Sequence, residues 1–306
     1  MKIGLITGGL GGEDLASAVD TIVKAEADGF ATAWRAHAFG MDALTVLALA
    51  GARTSTIELG TAVVPTYPRH PHALAQQAMT VDLAASGRLV LGLGRSHQLV
   101  IETMLGLDYD RPVSHMRDYV TVLRSLFKDG ACAVDGDYYQ VNASVDVSER
   151  REIPVMVGAL MPKMLELCGR LCDGTITWMS GPRHLANNIV PVLKASAESA
   201  GRPLPRVVCS LPLCVTDDAG AARQAAADQF ALYGQLPVYR ACLDAEGAAG
   251  PADLALIGDE DEVRAGIERV AEAGASDFYA AIFPAPAEKG SSERSYEMLK
   301  GLGGVL

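Results

Sequence analysis

The chain has 306 residues, and 26 Lys+Arg against 37 Asp+Glu give a formal charge of −11. An acidic balance of that size excludes a protein that coats nucleic acid, because neutralising phosphates needs a basic surface. With 49% hydrophobic and 21% charged residues, the chain has ample apolar material for a large core and little sign of disorder.

The first residues, Met1-Lys2-Ile3-Gly4-Leu5-Ile6-Thr7, turn glycine-rich and then acidic at Glu13 and Asp14, which leaves no signal-peptide core. The most apolar run, 43–52, is about half of a bilayer span. Six cysteines are dispersed through apolar surroundings without a paired framework. These features predict a cytoplasmic protein without a membrane segment. Cys168 and Cys172, four apart on one helix face, read as core packing.

Taken in chain order, apolar runs and amphipathic segments alternate from the start. Strands are expected over 3–7, 31–37, 57–64 and 89–94, with helices over 14–28, 42–54 and 71–85 between them. Pro71 suits a first helical turn and Ser86-Gly87 a helix stop. A helix over 113–127 and a short hairpin around 135–141 follow. The alternation then resumes with strands over 153–158, 175–179, 207–215 and 278–283. Helices are expected over 162–172, 182–200, 217–245 (a long Ala-rich region), 259–273 and 291–302. Eight strands alternating with helices in one run predict a single (β/α)8 TIM barrel with insertions over 1–306, rather than a doubly wound sheet.

Two tempting motifs fail on inspection. Gly9 and Gly11 open a G-x-G-x-x-G pattern whose third position is Asp14, and the second strand ends in His37 where a ribose-binding carboxylate would stand. His70 and His72 form an H-x-H beside prolines, with no carboxylate near, so no metal site is expected. Asp82 and Arg88 read as a framework pair at the stability face, since Arg88 begins a strand.

Barrel enzymes build their sites at the C-terminal ends of strands. Those ends read Trp34-Arg35-Ala36-His37, Gly60-Thr61-Ala62-Val63-Val64-Pro65 and Leu91-Gly92-Leu93-Gly94-Arg95-Ser96-His97. His37 and His97 therefore face one cavity, and imidazoles are suited to moving protons near neutral pH.

The ordered series Gly60-Thr61-Ala62-Val63, Arg69-His70-Pro71, Gly87-Arg88-Leu89-Val90-Leu91-Gly92-Leu93-Gly94 and Ile153-Pro154-Val155-Met156-Val157-Gly158-Ala159 resembles the bacterial-luciferase-like superfamily. The likeness is strongest to its coenzyme F420-dependent oxidoreductases. That resemblance implies a luciferase-like TIM barrel that holds a deazaflavin or flavin ring against a bulge at Thr61, Ala62 and Val63, often with a cis peptide, here Ala62-Val63. It implies a phosphate held by Arg95 and Ser96 and by the segment Gly158, Ala159, Leu160 and Met161, with Arg69 and Lys163 as further positive charge near the mouth. His37 matches a histidine near the reactive ring. His97 stands where sugar-phosphate dehydrogenases of the branch carry a catalytic glutamate. Trp178 and Tyr233 are candidates for the substrate wall, with Tyr239 and Arg240 shaping its mouth. A homodimer through the early helices and a small-molecule substrate are implied as well. Three readings stay open: hydride transfer with F420, monooxygenation with FMN and dioxygen, and a catalytically inactive flavin-binding barrel.

Overall fold

The computed structural model describes residues 1–8, 12–286 and 288–306; Gly9, Leu10 and Gly11 of the glycine-rich segment lie outside them. The first half runs β1 (Lys2–Thr7), α1 (Leu15–Ala27), β2 (Thr32–Arg35), α2 (Ala43–Gly51), β3 (Glu58–Thr61), β4 (Val64–Pro65), α3 (Pro71–Ala84) and β5 (Leu89–Gly94). Then come α4 (Pro112–Asp129), the hairpin β6 (Ala131–Asp135) and β7 (Gln140–Ser144), β8 (Val155–Gly158), α5 (Pro162–Leu171) and β9 (Gly174–Trp178). The last part holds α6 (Pro182–His184), α7 (Val190–Ser199), β10 (Arg206–Val215), α8 (Ala219–Gln229), α9 (Pro237–Glu246), β11 (Leu256–Gly258), α10 (Glu260–Glu272), β12 (Asp277–Ile282) and α11 (Ser291–Lys300).

Local chemistry sets many of these boundaries. Asp14, Asp42, Asp218 and Asp259 each accept an N–H of the first helical turn, and proline opens α3, α4, α5 and α9. The expected helix over 217–245 is divided: α8 ends at Gln229, a 3-10 turn spans Ala231–Gly234, and α9 restarts at Pro237. Alanine favours helix throughout that region, but Pro237 lacks the N–H a continuing helix needs.

Strands β1, β2, β3, β5, β8, β9, β10 and β12 pair in parallel, and β12 pairs both β10 and β1, so the barrel closes. Its interior holds Trp34, Val90, Met156, Ile176, Val208 and Tyr279, one from each of six strands, with Ile6, Ala62 and Val63 packed above. Space for Trp34 comes from Gly60: a Cβ there would stand 2.2 Å from the indole.

The N-terminal end of the barrel is closed by charge. Lys2, Glu58, Arg206 and Asp277 are the first residues of β1, β3, β10 and β12, and Arg206 joins both Glu58 and the buried Asp277 while Lys2 joins Glu58. Asp82 and Arg88 also lie at this end but not as a pair. Asp82 binds Arg151 (2.8 Å) and the Leu89 N–H, whereas Arg88 donates to the carbonyls of Gly51, Thr54 and Ile57. Both serve the framework, and each found a partner that chain proximity does not reveal. With this end plugged, the open end is the C-terminal mouth.

Candidate active site

The mouth is organised by a bulge. Gly60 pairs Val90 and Val64 pairs Leu93, so four residues on one strand oppose three on β5. Thr61, Ala62 and Val63 take up the extra length, and the Ala62-Val63 peptide is cis. Thr61 is fully buried. Its hydroxyl accepts from the Gly92 N–H and donates to the Gly92 carbonyl, both at 2.8 Å, bridging the gap that the bulge opens. Thr61 thus braces the bulge, while Ala62 and Val63 stay half-exposed and form the floor of the mouth. Beyond the bulge, Thr66 is tied to the Gly94 carbonyl, and its hydroxyl meets Nε2 of the buried His115 at 2.9 Å.

On one side stands His37, just past β2. Its Nδ1 accepts the Ala43 N–H at 3.2 Å, at the start of α2. An acceptor at Nδ1 leaves the neutral ring with its proton on Nε2. Burial lowers the imidazole pKa below its usual value, and the Arg69 guanidinium lowers it further; Asp42 opposes both. Arg69 is engaged by Asp42 and Gln77, so the positive charge expected of it at the mouth is largely cancelled.

On the other side, Arg95, Ser96 and His97 follow β5. Arg95 is half-buried and, among the described residues, forms no ion pair, although its charge is felt by Tyr67, Tyr109, His97 and His115. Ser96 adopts a left-handed φ of 58°, the turn that carries the chain from the strand end to His97. Burial lowers the His97 pKa, with Arg95 adding to the effect. Gly158 ends β8 beside Gly94, because Leu93 and Val157 are in register. Ala159, Leu160 and Met161 lead into α5, whose N-cap Met161 has no side-chain hydrogen bond to the first turn. The N–H groups there are free of side-chain caps, as an anion site requires. Lys163 is exposed.

Trp178 ends β9 and lies against Tyr233 (5.5 Å between rings) and Phe230 (5.9 Å). Tyr233 meets Tyr239 at 5.0 Å, and Tyr239 lies 5.9 Å from His97. The 3-10 turn and α9 thus close an aromatic arc across the mouth. Arg240 turns away, to Asp244 and the carbonyls of Ala248 and Ala249.

His70 accepts the His72 N–H as a helix cap, and His72 reaches the Ser144 carbonyl; both are rim residues. No group of three metal-ligating side chains occurs among the described residues. Cys168 and Cys172 are buried in the core. Sequence reasoning missed Asp42, Thr66, His115 and Tyr279. His115 alone left a signal, as a polar residue on the buried stripe of α4 with Tyr119, Val122 and Leu126.

The profile of the family described as luciferase-like monooxygenase matches residues 3–277. A Mycobacterium tuberculosis protein named among the coenzyme F420-dependent oxidoreductases is 32% identical over 197 residues, 60% of this chain and 57% of that protein. The 5,10-methylenetetrahydromethanopterin reductase of Methanolobus tindarius is 28% identical over 207 residues, 67% of this chain and 63% of that enzyme. The chain thus spans less than two thirds of the length of either relative. In fold it is similar to the coenzyme F420-dependent tetrahydromethanopterin reductase of Methanopyrus kandleri, with a TM-score of 0.80 at 22% identity over 99% of this chain and 97% of the other. A profile match across the barrel from β1 to the start of β12, on a closed ring of eight parallel strands, establishes that this chain belongs to the luciferase-like monooxygenase family.

Proposed function

We propose that this protein is a coenzyme F420-dependent oxidoreductase that moves a hydride between the deazaflavin C5 and a small organic substrate. The observation that carries this reading is the half-exposed Ala62–Val63 floor set between two imidazoles, His37 and His97, each with its pKa lowered by burial. The relatives named for F420 support it.

The residues present fit such a cofactor. Arg95 carries a charge that no carboxylate answers among the described residues, and the uncapped start of α5 lies past the neighbouring strand. Arg95, Ser96 and the segment from Gly158 to Met161 would hold the phosphate, and Ala62 and Val63 would support the ring, braced by Thr61. Bound there, the deazaflavin supplies the hydride chemistry. His37 offers a fixed Nε2–H as a hydrogen-bond donor. His97 makes no side-chain hydrogen bond among the described residues and serves as the group that exchanges a proton with the substrate oxygen. Trp178 and Tyr233 wall the substrate and keep water from it.

Equilibrium binding of F420 and, in parallel, FMN to the purified protein tests the reading. Micromolar or tighter binding of F420 without FMN binding is expected, followed by substrate-dependent oxidation of reduced F420 under nitrogen. Preference for FMN with oxygen-dependent turnover would replace the reading with a monooxygenase. Binding of neither would replace it with an inactive barrel.

We further infer a homodimer formed through α2 and α3, whose outer surfaces leave a groove lined by Leu44, Ala48, Ala73, Gln76, Thr80 and Val81. Light scattering at micromolar concentration tests it; a monomer would dismiss it. No helix among the described residues is long and apolar enough to cross a membrane; from the six free, buried cysteines we infer a reducing, cytoplasmic location.

A further inference from the structure

The mouth has two chemically different halves. Charge is concentrated around the first half of the barrel, from His37, Asp42 and Arg69 past β2 and β3 to Arg95 past β5. The opposite half is built from neutral groups. Trp178 pairs in register with Ser210, and Ser210 with Tyr279, on the adjoining strands β9, β10 and β12. By strand alternation these residues share the inner face with Ile176 and Val208. Above them stand Tyr233 and Tyr239, and the rings run continuously from His97 through Tyr239 and Tyr233 to Trp178.

The indole Nε1–H of Trp178 and the hydroxyl of Ser210 are buried, and each acts on a neighbouring tyrosine hydroxyl, Trp178 on Tyr233 and Ser210 on Tyr279. The groups that act on the Tyr239 hydroxyl are Tyr233, Cys242 and Tyr279, and those acting on Tyr279 are Ser210, Cys209 and Tyr233; all are uncharged at neutral pH. The charges carried by α9 point elsewhere. Glu246 accepts the N–H groups of Arg183 (3.2 Å) and His184 (2.8 Å), and Arg240 is held by Asp244 and two carbonyls.

A carboxylate or phosphate placed among these rings would lose its hydration without gaining a countercharge. An uncharged carbonyl or hydroxyl oxygen costs far less to bring in, and His97 at the end of the arc stands to meet it, with the rings covering the apolar remainder. We propose that this half of the mouth selects an uncharged, largely apolar substrate bearing a carbonyl or hydroxyl oxygen, with Trp178 and Tyr239 as its specificity-determining residues. The inference rests on the oxidoreductase reading, which places the substrate between the ring and this wall.

The test uses two probes of nearly equal shape, benzylacetone and hydrocinnamate, which differ in a methyl ketone against a carboxylate. Their binding is measured by calorimetry at neutral pH on the whole protein, with and without F420. Benzylacetone is expected to bind about tenfold or more tightly than hydrocinnamate, since only the carboxylate is desolvated unpaired. Trp178→Ala and Tyr239→Ala should each weaken the ketone. Tyr233→Lys, which adds a cation at a half-buried position of the wall, should shift preference toward hydrocinnamate, a gain that a misfolded variant cannot produce. Equal or tighter binding of hydrocinnamate to the unaltered protein would overturn the proposal, as would ketone binding indifferent to all three substitutions. F420 binding is scored in its own titration. Ketone preference without F420 binding would uphold this inference and remove the cofactor reading; F420 binding without ketone preference would do the reverse.

Discussion

The Thr61 hydroxyl is bonded to both backbone groups of Gly92 at 2.8 Å, replacing the ladder contact that the bulge between β3 and β5 removes. Glycine is required opposite it, because a Cβ on Gly92 would stand 1.9 Å from the Thr61 carbonyl oxygen. Thr61→Val keeps the shape and leaves the Gly92 N–H and carbonyl unmet in a buried site, a loss of about 1–3 kcal/mol. Urea denaturation should show that loss, and Thr61→Ser should recover most of it.

Gly94 faces Val63, and a Cβ there would fall 2.3 Å from Val63 Cγ2. Gly94→Ala should therefore push Val63 off the floor of the mouth. We expect a clear fall in F420 affinity with a stability loss in the range of ordinary overpacking, about 1–3 kcal/mol. Unchanged F420 titration on a folded variant would show that Val63 does not support the ring.

Arg95→Met removes a cation that no carboxylate balances among the described residues. Thermal stability should hardly change, whereas F420 affinity should fall by about 1.5–3 kcal/mol, the range for a hydrogen bond to a charged group. The same substitution should flatten the salt dependence of binding. Loss of stability without loss of affinity would return Arg95 to a structural role.

His97 has its pKa held below the usual imidazole value by burial and by Arg95. Carbonyl reduction needs its protonated form, so kcat should fall as pH rises through that lowered pKa. Oxidation in the reverse sense needs the neutral form, and its kcat should fall as pH drops through the same value. His97→Gln should remove both limbs and reduce kcat by roughly 10²–10⁴-fold, the span typical of general acid–base groups, while F420 still binds. His37→Gln is expected to lower kcat without moving either limb, because Nδ1 of His37 is committed to Ala43.

His115 is fully buried, and burial lowers its pKa to about 4. A histidine depressed in the folded state binds its proton more readily when unfolded. Its stabilising contribution is therefore complete above about pH 6.5 and is lost as pH falls toward about 4. The slope of unfolding free energy against pH across that window should be shallower in His115→Asn. Equal slopes would show that other groups carry the acid sensitivity.

Much of this molecule is legible in its sequence. Strand 89–94 and the starts of several helices are encoded locally, by alternation, by Asp14, Asp42 and Asp259 as caps, and by proline in first turns. The strand-end rule then brought His37, Ala62, Val63, Arg95, His97 and Trp178 to one mouth. Other properties depend on partners far away in the chain. The hydroxyl of Thr61, a residue expected at the cofactor, is bonded to Gly92, 31 residues on. Arg69, expected to add positive charge near the mouth, is answered by Asp42, 27 residues earlier. The protonated nitrogen of His37 is decided by where α2 begins, and the neutral half of the mouth by how Arg240 is committed to Asp244 and two carbonyls and Glu246 to the N–H groups of α6. Periodicity and capping act within a few residues, so sequence alone determined the barrel and which strand ends meet at its mouth. Ion pairing, tautomers and hydrogen-bond direction depend on contacts between distant segments, and only the closed barrel decided them.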